Sequence, residues 1–293
     1  MGEAKRFTSV EGAIDAAARR VLDRMEGGAV PGALIEFLVF GLKQAWACLF
    51  GGLMLAMILA SALFYPDGAA LARYDALFLG ALAIQVAMIA GRLETREEVV
   101  VIMLFHLVGT AMEIFKTSVG SWVYPEASIF RVGGVPLFSG FMYAAVGSYL
   151  ARVSRIFDFR FTHYPPLWAT YLLAAAIYAN FFTHHFGPDL RLALFAGVVL
   201  LYGRTRVYFR VFRHRLWMPL IVGFVLVALF IWFAENIGTF ARAWTYPDQA
   251  DGWRLVSIHK LGAWLLLMII SFVLTTIVRR PQRLEEAPAG TPH

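Results

Sequence analysis

The sequence predicts an all-α fold: a polytopic membrane bundle of about eight transmembrane helices arranged as two parallel four-helix repeats. Three observations predict it. Hydrophobic residues make up 59% of the 293-residue chain and charged residues 16%, against roughly 45–50% and 25% in a soluble domain. The apolar residues fall in eight runs, at 46–64, 72–93, 99–119, 135–150, 166–183, 190–203, 216–237 and 261–278, each about long enough to cross a hydrocarbon core of roughly 30 Å. The chain also matches itself at one offset, 122 residues.

Taken in order, segment 1–30 has basic residues but no continuous apolar stretch of signal-peptide length, so its N-terminus is expected in the cytoplasm. Thr8 and Glu11 have capping-box spacing, and Ile14, Ala18, Val21, Leu22 and Met25 share one helical face, with Arg19, Arg20 and Arg24 elsewhere. That pattern predicts a short amphipathic helix resting on the inner membrane surface. Residues 31–156 form the first repeat, 157–279 the second, and the polar, Pro-rich tail 280–293 is expected to be disordered and cytoplasmic. The single cysteine, Cys48, excludes a disulfide or thiolate metal site within one chain.

The net charge of +6 raises the question of nucleic acid, but its distribution answers it. With eight spans, 19 of the 26 Lys and Arg residues fall in inner loops and tails and five in outer loops, which orients both termini inward in the cytoplasmic membrane. The dense run GRTRVYFRVFRHR (203–215) is a positive-inside anchor on this reading, and membrane lipids, not nucleic acids, are the partners.

At the 122-residue offset Glu113 falls on Glu235, Thr117 on Thr239, Trp122 on Trp244, Tyr124 on Tyr246 and Pro125 on Pro247. Trp46 falls on Trp168 and Gly140 on Gly262 in the same register. Four crossings return a chain to its starting side, so the halves are related by an axis along the membrane normal. Both Trp-x-Tyr-Pro segments then lie outside as interfacial corners, the aromatic rings at headgroup level and the proline ending the helix.

The acids ahead of those corners need another explanation. A carboxylate about two and a half turns below the interface costs several kcal/mol unless paired, hydrated or protonated, so Glu113 and Glu235 must face the bundle interior. His106, Glu113 and Lys116 share a helical face, and Glu113 and Lys116 have ion-pair spacing. Asn180, His184, His185, Asn236, His259 and Lys260 are predicted at the same outer depth, which points to one off-centre polar cavity built by both repeats. Three chemistries suit it. Acid–base catalysis would use Glu113 and Glu235, tuned by Lys116 and His106, with Trp122, Tyr124, Trp244, Tyr246, Asn236 and Lys260 supporting a substrate. Proton- or cation-coupled transport needs the same groups. A divalent metal would draw on His184, His185 and His259, although adjacent histidines diverge by about 100° on a helix and no HExxH run is present. Gly109, Gly120, Gly140 and Gly147 predict close helix packing; Tyr143, Tyr149, Tyr171 and Tyr178 read as packing residues.

The blocks FHLVGTAMEIFKTSVGSWVYPE, PLFSGFMYAAVGSYLAR, NFFTHHFGPDLR and AENIGTFARAWTYPDQADGW resemble the YoaT-like family of bacterial integral membrane proteins, whose function is unknown. That resemblance implies a membrane location. The order Glu113, Gly120, Trp122, Tyr124, Pro136, Leu137 is similar to a pattern in membrane-embedded lycopene cyclases and carotenoid hydratases, with Phe138-Ser139 where a doubled acid is found there and no matching proline in the second repeat. It implies a lipid or isoprenoid substrate handled by membrane acids. The leading expectation is accordingly a membrane-embedded acid–base enzyme acting on such a molecule; a secondary transporter and a structural membrane subunit are the alternatives.

Overall fold

The computed structural model describes residues 8–24 and 32–284. Helix α1 spans Ser9–Arg24, α2 Gly32–Ala47, α3 Leu49–Phe64, α4 Arg73–Ala90 and α5 Arg96–Ser118. A two-residue hairpin, β1 Arg131–Val132 and β2 Val135–Pro136, turns through Gly133 and Gly134, both at positive φ, the conformation that glycine adopts without steric cost. Then follow α6 Phe138–Ile156, β3 Arg160–Thr162, α7 Leu167–Thr183, α8 Arg191–Tyr202, the hairpin β4 Arg206–Arg210 and β5 Arg215–Pro219, α9 Leu220–Phe240, α10 Lys260–Val278 and β6 Gln282–Arg283.

The protein is mostly helical, and four of its helices are long and apolar enough to cross a membrane: α4, α5, α9 and α10. Large apolar residues on their outer faces, among them Met103, Leu107, Phe230 and Phe233, are exposed, as suits a lipid-facing surface. Helices α2 and α3 pass the same test only as a pair, bent by 65° at Cys48. Helices α7 and α8 are shorter apolar helices of 17 and 12 residues; at 1.5 Å per residue α8 is about 18 Å long. The run predicted at 135–150 becomes α6, which ends in the buried Arg152 and Arg155 and packs against α2, α3, α4, α5 and α10. Hydropathy alone registered eight apolar runs; helix length, a bend and buried charge distinguish among them.

Two further expectations are corrected, and the basic run gains a structure. The fold is not purely α: β5, β4, β3 and β6 form a four-stranded sheet in that order, with β3–β6 parallel. The basic run 203–215 supplies β4, held by Lys43, whose Nζ donates to the Val211 carbonyl at 2.6 Å and pairs with Asp15 at 2.9 Å. The tail is ordered at its start, because Gln282–Arg283 completes that sheet; residues 285–293 lie outside the described residues.

Helix α1 does not merely rest on a surface. Glu11 is 1% exposed and accepts two bonds from Arg155, at 2.5 and 2.9 Å, while Arg155 also binds Glu98 at 2.9 Å. The Thr8 amide and the Trp46 indole complete the shell of Glu11 at 2.7 and 3.1 Å. A guanidinium between two carboxylates thus fastens α1 to α5 and α6. The predicted apolar-face side chains of Ala18, Val21, Leu22 and Met25 lie outside the described residues.

The bend between α2 and α3 has a comparable cause. Breaking the helix frees carbonyls that need donors, and Arg152 donates to the Trp46 carbonyl at 3.2 Å while pairing with Glu94 at 3.4 Å, both side chains wholly buried.

Candidate functional site

Helices α5 and α9 end alike. After the C-caps Val119 and Ala241, Gly120 and Arg242 adopt positive φ, 71° and 50°. The Ser121 amide returns to the Lys116 carbonyl at 2.9 Å and that of Ala243 to Gly238 at 3.0 Å, the Schellman closure. The two corners then meet. Val123 and Thr245 exchange both backbone hydrogen bonds at 3.0 Å in an antiparallel bridge, and the Trp122 ring stands edge-on to Tyr246 with centroids 6.1 Å apart. Arg73, at the start of α4, clamps both: it donates to Glu126 at 2.6 Å in the first corner and to the Ala241 and Arg242 carbonyls at 3.0 and 2.9 Å in the second. Those carbonyls end α9, where the helix dipole favours a cation.

The corners hold the two acids. Glu113, 3% exposed, accepts from the Trp122 indole at 2.9 Å, the Tyr124 hydroxyl at 2.8 Å and the Tyr143 hydroxyl at 2.7 Å. Glu235, equally buried, accepts from the Tyr246 hydroxyl and the Trp264 indole. Each carboxylate sits two and a half turns before its corner, so the chain that leaves the helix folds back with its aromatic donors aimed at the acid it has just passed. Glu113 and Glu235 lie within electrostatic reach of one another. Burial pushes the Tyr124 and Tyr246 hydroxyls well above the usual phenol range, and the adjacent carboxylates push them further, so both remain donors.

Close packing aims Tyr143. A Cβ on Gly109 would lie 2.5 Å from the Tyr143 ring, so only glycine lets that ring cross α5. Gly140 admits His106 and Gly147 admits Phe105 across the same α5–α6 contact, which fulfils the small-residue prediction for Gly109, Gly140 and Gly147; Gly120 meets open space and serves the positive-φ turn of the corner instead. Tyr143 also forms part of a narrow apolar slot lined by Phe105, Met112, Tyr178, Leu267 and Leu274 between α5, α6, α7 and α10.

Other predicted residues are placed differently. Lys116, expected to pair with Glu113, instead meets His185 Nε2 at 2.9 Å; both carboxylate oxygens are already taken by aromatic donors, and the lysine points to the end of α7. Although His185 is exposed, partial desolvation and then the Lys116 charge hold its imidazole below the usual range. His106 lies two turns below Glu113, edge-on to Phe141 at 4.4 Å. His184 bonds the Asn180 carbonyl at 2.7 Å and stacks beside His185, their centroids 4.1 Å apart. His259 is exposed at the start of α10. Among the described residues no group of three or more His, Cys, Asp or Glu side chains is gathered as a metal site. Asn236 serves structure, donating to the Trp232 carbonyl at 2.8 Å and accepting from the Val256 amide at 2.9 Å. Trp244 packs directly on Gly238, and Lys260 stands over the Tyr246 ring.

Sequence reasoning missed Trp264 and Arg73 and set Tyr143 aside as packing. One signal was available: Tyr143 and Trp264 each follow, by three and two residues, the matched glycines Gly140 and Gly262.

The arrangement belongs to a recognisable group. A family model described as a protein of unknown function, DUF817, matches residues 36–272. The chain belongs to the DUF817 family. The Bacillus subtilis (strain 168) protein described as uncharacterized protein YoaT is similar, at 43% identity over 260 residues, covering 87% of this chain and 96% of that relative. The match to the DUF817 model contains both corners, both acids and the whole of the apolar slot except Leu274. No solved structure matches this chain.

Proposed function

We propose that this DUF817 protein is a membrane-embedded acid–base enzyme whose substrate is a lipid or isoprenoid chain, with Glu113 the proton-transferring group and Glu235 its counterpart in a second repeat. One observation carries the reading: the Tyr143 hydroxyl that donates to Glu113 belongs to a side chain forming the wall of a mainly apolar slot, in which Tyr178 and Ser271 are the other hydroxyl-bearing residues. The Phe, Met and Leu side chains of the slot offer an alkyl or polyprenyl chain an apolar lining and no ligands for a hydrated ion; at about 10 Å³ the slot is closed, so a chain enters only as α5, α6, α7 and α10 part. Tyr143 is the relay at its wall: its hydroxyl passes its proton to the Glu113 carboxylate it already donates to, while taking one from the substrate, and the reverse transfer returns a proton to the substrate. Aromatic donors hold Glu113 without a neutralising cation in contact, an environment in which a carboxyl group can both keep and release a proton.

The two-repeat architecture belongs to this proposal. It is supported by α6 and α10, whose ends are 122 residues apart at both termini, by the matching Schellman closures, and by the Val123–Thr245 bridge between residues 122 apart. In this arrangement eight membrane-associated segments in two fours place both termini in the cytoplasm and both corners outside. Lys260 beside Glu235 favours one second reading, proton- or cation-coupled transport, in which the second acid is the coupling site.

The test compares total lipid extracts, by mass spectrometry, from cells expressing the wild type, Glu113→Gln or Tyr143→Phe at equal membrane levels. A lipid species changed by the wild type and by neither variant is the expected result. Identical extracts from all three, together with proton uptake into wild-type proteoliposomes that Glu235→Gln abolishes, would overturn the enzyme reading in favour of transport.

A further inference from the structure

Among the described residues two lysines are buried, and their surroundings differ. Lys43, 2% exposed, has the Asp15 carboxylate at 2.9 Å and the Val211 carbonyl at 2.6 Å, the kind of partners that a buried ammonium requires. Lys116, 6% exposed near the C-terminal end of α5, has neither. Its Nζ meets His185 Nε2 at 2.9 Å and faces the Phe181 ring at 5.5 Å, and among the described residues no carboxylate stands within 4 Å of it. Glu113, one turn back, is filled by its aromatic donors, and Asp189 is held by Arg191 at 2.5 Å. A ring face offsets less of the cost of burying a cation than a carboxylate does, so Lys116 and His185 share a single proton. Whenever the imidazole holds it, the lysine presents a free lone pair, the nucleophilic form of a desolvated amine. His185 is exposed just beyond α7, so the amine lies one side chain below the surface. The approach is apolar: Phe115 and Phe186 flank the imidazole with ring centroids 5.7 and 6.4 Å away.

We propose that Lys116 is a covalent capture site for an apolar aldehyde, which it binds as an imine while His185 carries the proton. The lysine nitrogen bonds to the carbonyl carbon, and the first proton it loses passes through His185 Nε2 to the carbonyl oxygen. That oxygen then leaves as water with the second proton of the nitrogen, and the carbon–nitrogen double bond remains. No oxidant or further reactant is needed. An aldehyde carbon carries a single substituent, which suits a nitrogen so little exposed, whereas ketones and esters are broader at that carbon. The step draws on neither Glu113 nor Tyr143.

The test treats the full chain, purified in detergent at neutral pH, with decanal or glycolaldehyde and sodium cyanoborohydride, which reduces an imine to a stable secondary amine. Peptide mass spectrometry then reads the adduct at each lysine. With decanal, Lys116 is expected to be labelled about tenfold more than Lys43, whose ammonium Asp15 fixes. The polar glycolaldehyde is expected to lose most of that excess. His185→Phe keeps a ring beside Phe115 and is expected to slow labelling of Lys116 by at least about tenfold at an unchanged melting temperature. The assignment is overturned if Lys116 of the folded wild type is labelled no more than Lys43, if glycolaldehyde gives the same excess as decanal, or if folded His185→Phe is labelled as fast as the wild type.

Discussion

Replacing Glu11 by Gln tests how α1 is held. The substitution keeps the shape of the side chain but removes the charge that Arg155 contacts twice, at 2.5 and 2.9 Å. Arg155 retains Glu98, so the cost falls at the low end of that for removing one partner of a buried pair, about 3 kcal/mol. At roughly 1.4 kcal/mol per tenfold, α1 should open about a hundredfold more often. Hydrogen–deuterium exchange over the α1 amides reads that directly, with Arg20→Ala, an exposed change on the same helix, as the control expected to do nothing. The wild type carries a linked pH dependence. Burial raises the Glu11 carboxyl and the bonds and charge of Arg155 more than reverse this, so its folded value lies below the ordinary 4.5. A depressed carboxyl contributes its stabilisation fully above the unfolded value and loses it as pH falls through the folded one, so the protection of the α1 amides, corrected for the intrinsic pH dependence of exchange, should fall below pH 4.5 in the wild type and stay flat in Glu11→Gln. Exchange unchanged by the substitution would refute the reasoning and return α1 to a helix held by its apolar face.

Gly109→Ala would place a methyl group 2.5 Å from the Tyr143 ring; a melting-temperature decrease matching about 1–3 kcal/mol of overpacking is expected, with the same lipid phenotype as Tyr143→Phe. Arg242→Gly relieves a left-handed non-glycine residue, while the carbonyl that receives Arg73 is kept; thermal unfolding should show a gain of about 1 kcal/mol. Arg152→Met leaves the buried Glu94 carboxylate without its cation, held only by the neutral donors Gln85 and Ser148, and the Trp46 carbonyl without its donor; it should cost about 3–5 kcal/mol, much of it recovered when Glu94→Gln is added, as a thermal-shift double-mutant cycle would measure.

The sequence by itself determined the helical membrane class, because apolar runs and sparse charge leave few other ways to satisfy a backbone out of water. It also located both acids and both Trp-x-Tyr-Pro corners, since a carboxylate two and a half turns before a helix-ending corner is conspicuous in one dimension. The small-residue stripe of α5 and α6 was legible for the same reason: local spacing fixes which residues share a helical face. What the acids touch was decided only by the tertiary structure. Lys116 had the right spacing for Glu113 yet turns to His185, because three aromatic donors from a corner and from α6 reach the carboxylate first. The four-stranded sheet was hidden because its strands come from distant segments, β3 and β6 pairing residues 122 apart, and because a run rich in arginine reads as a charged loop until partners pair with it. The buried Glu11–Arg155–Glu98 cluster joins residues 144 and 57 positions apart. Periodicity cannot report such pairings, because charged groups declare their partners only when the fold removes them from water.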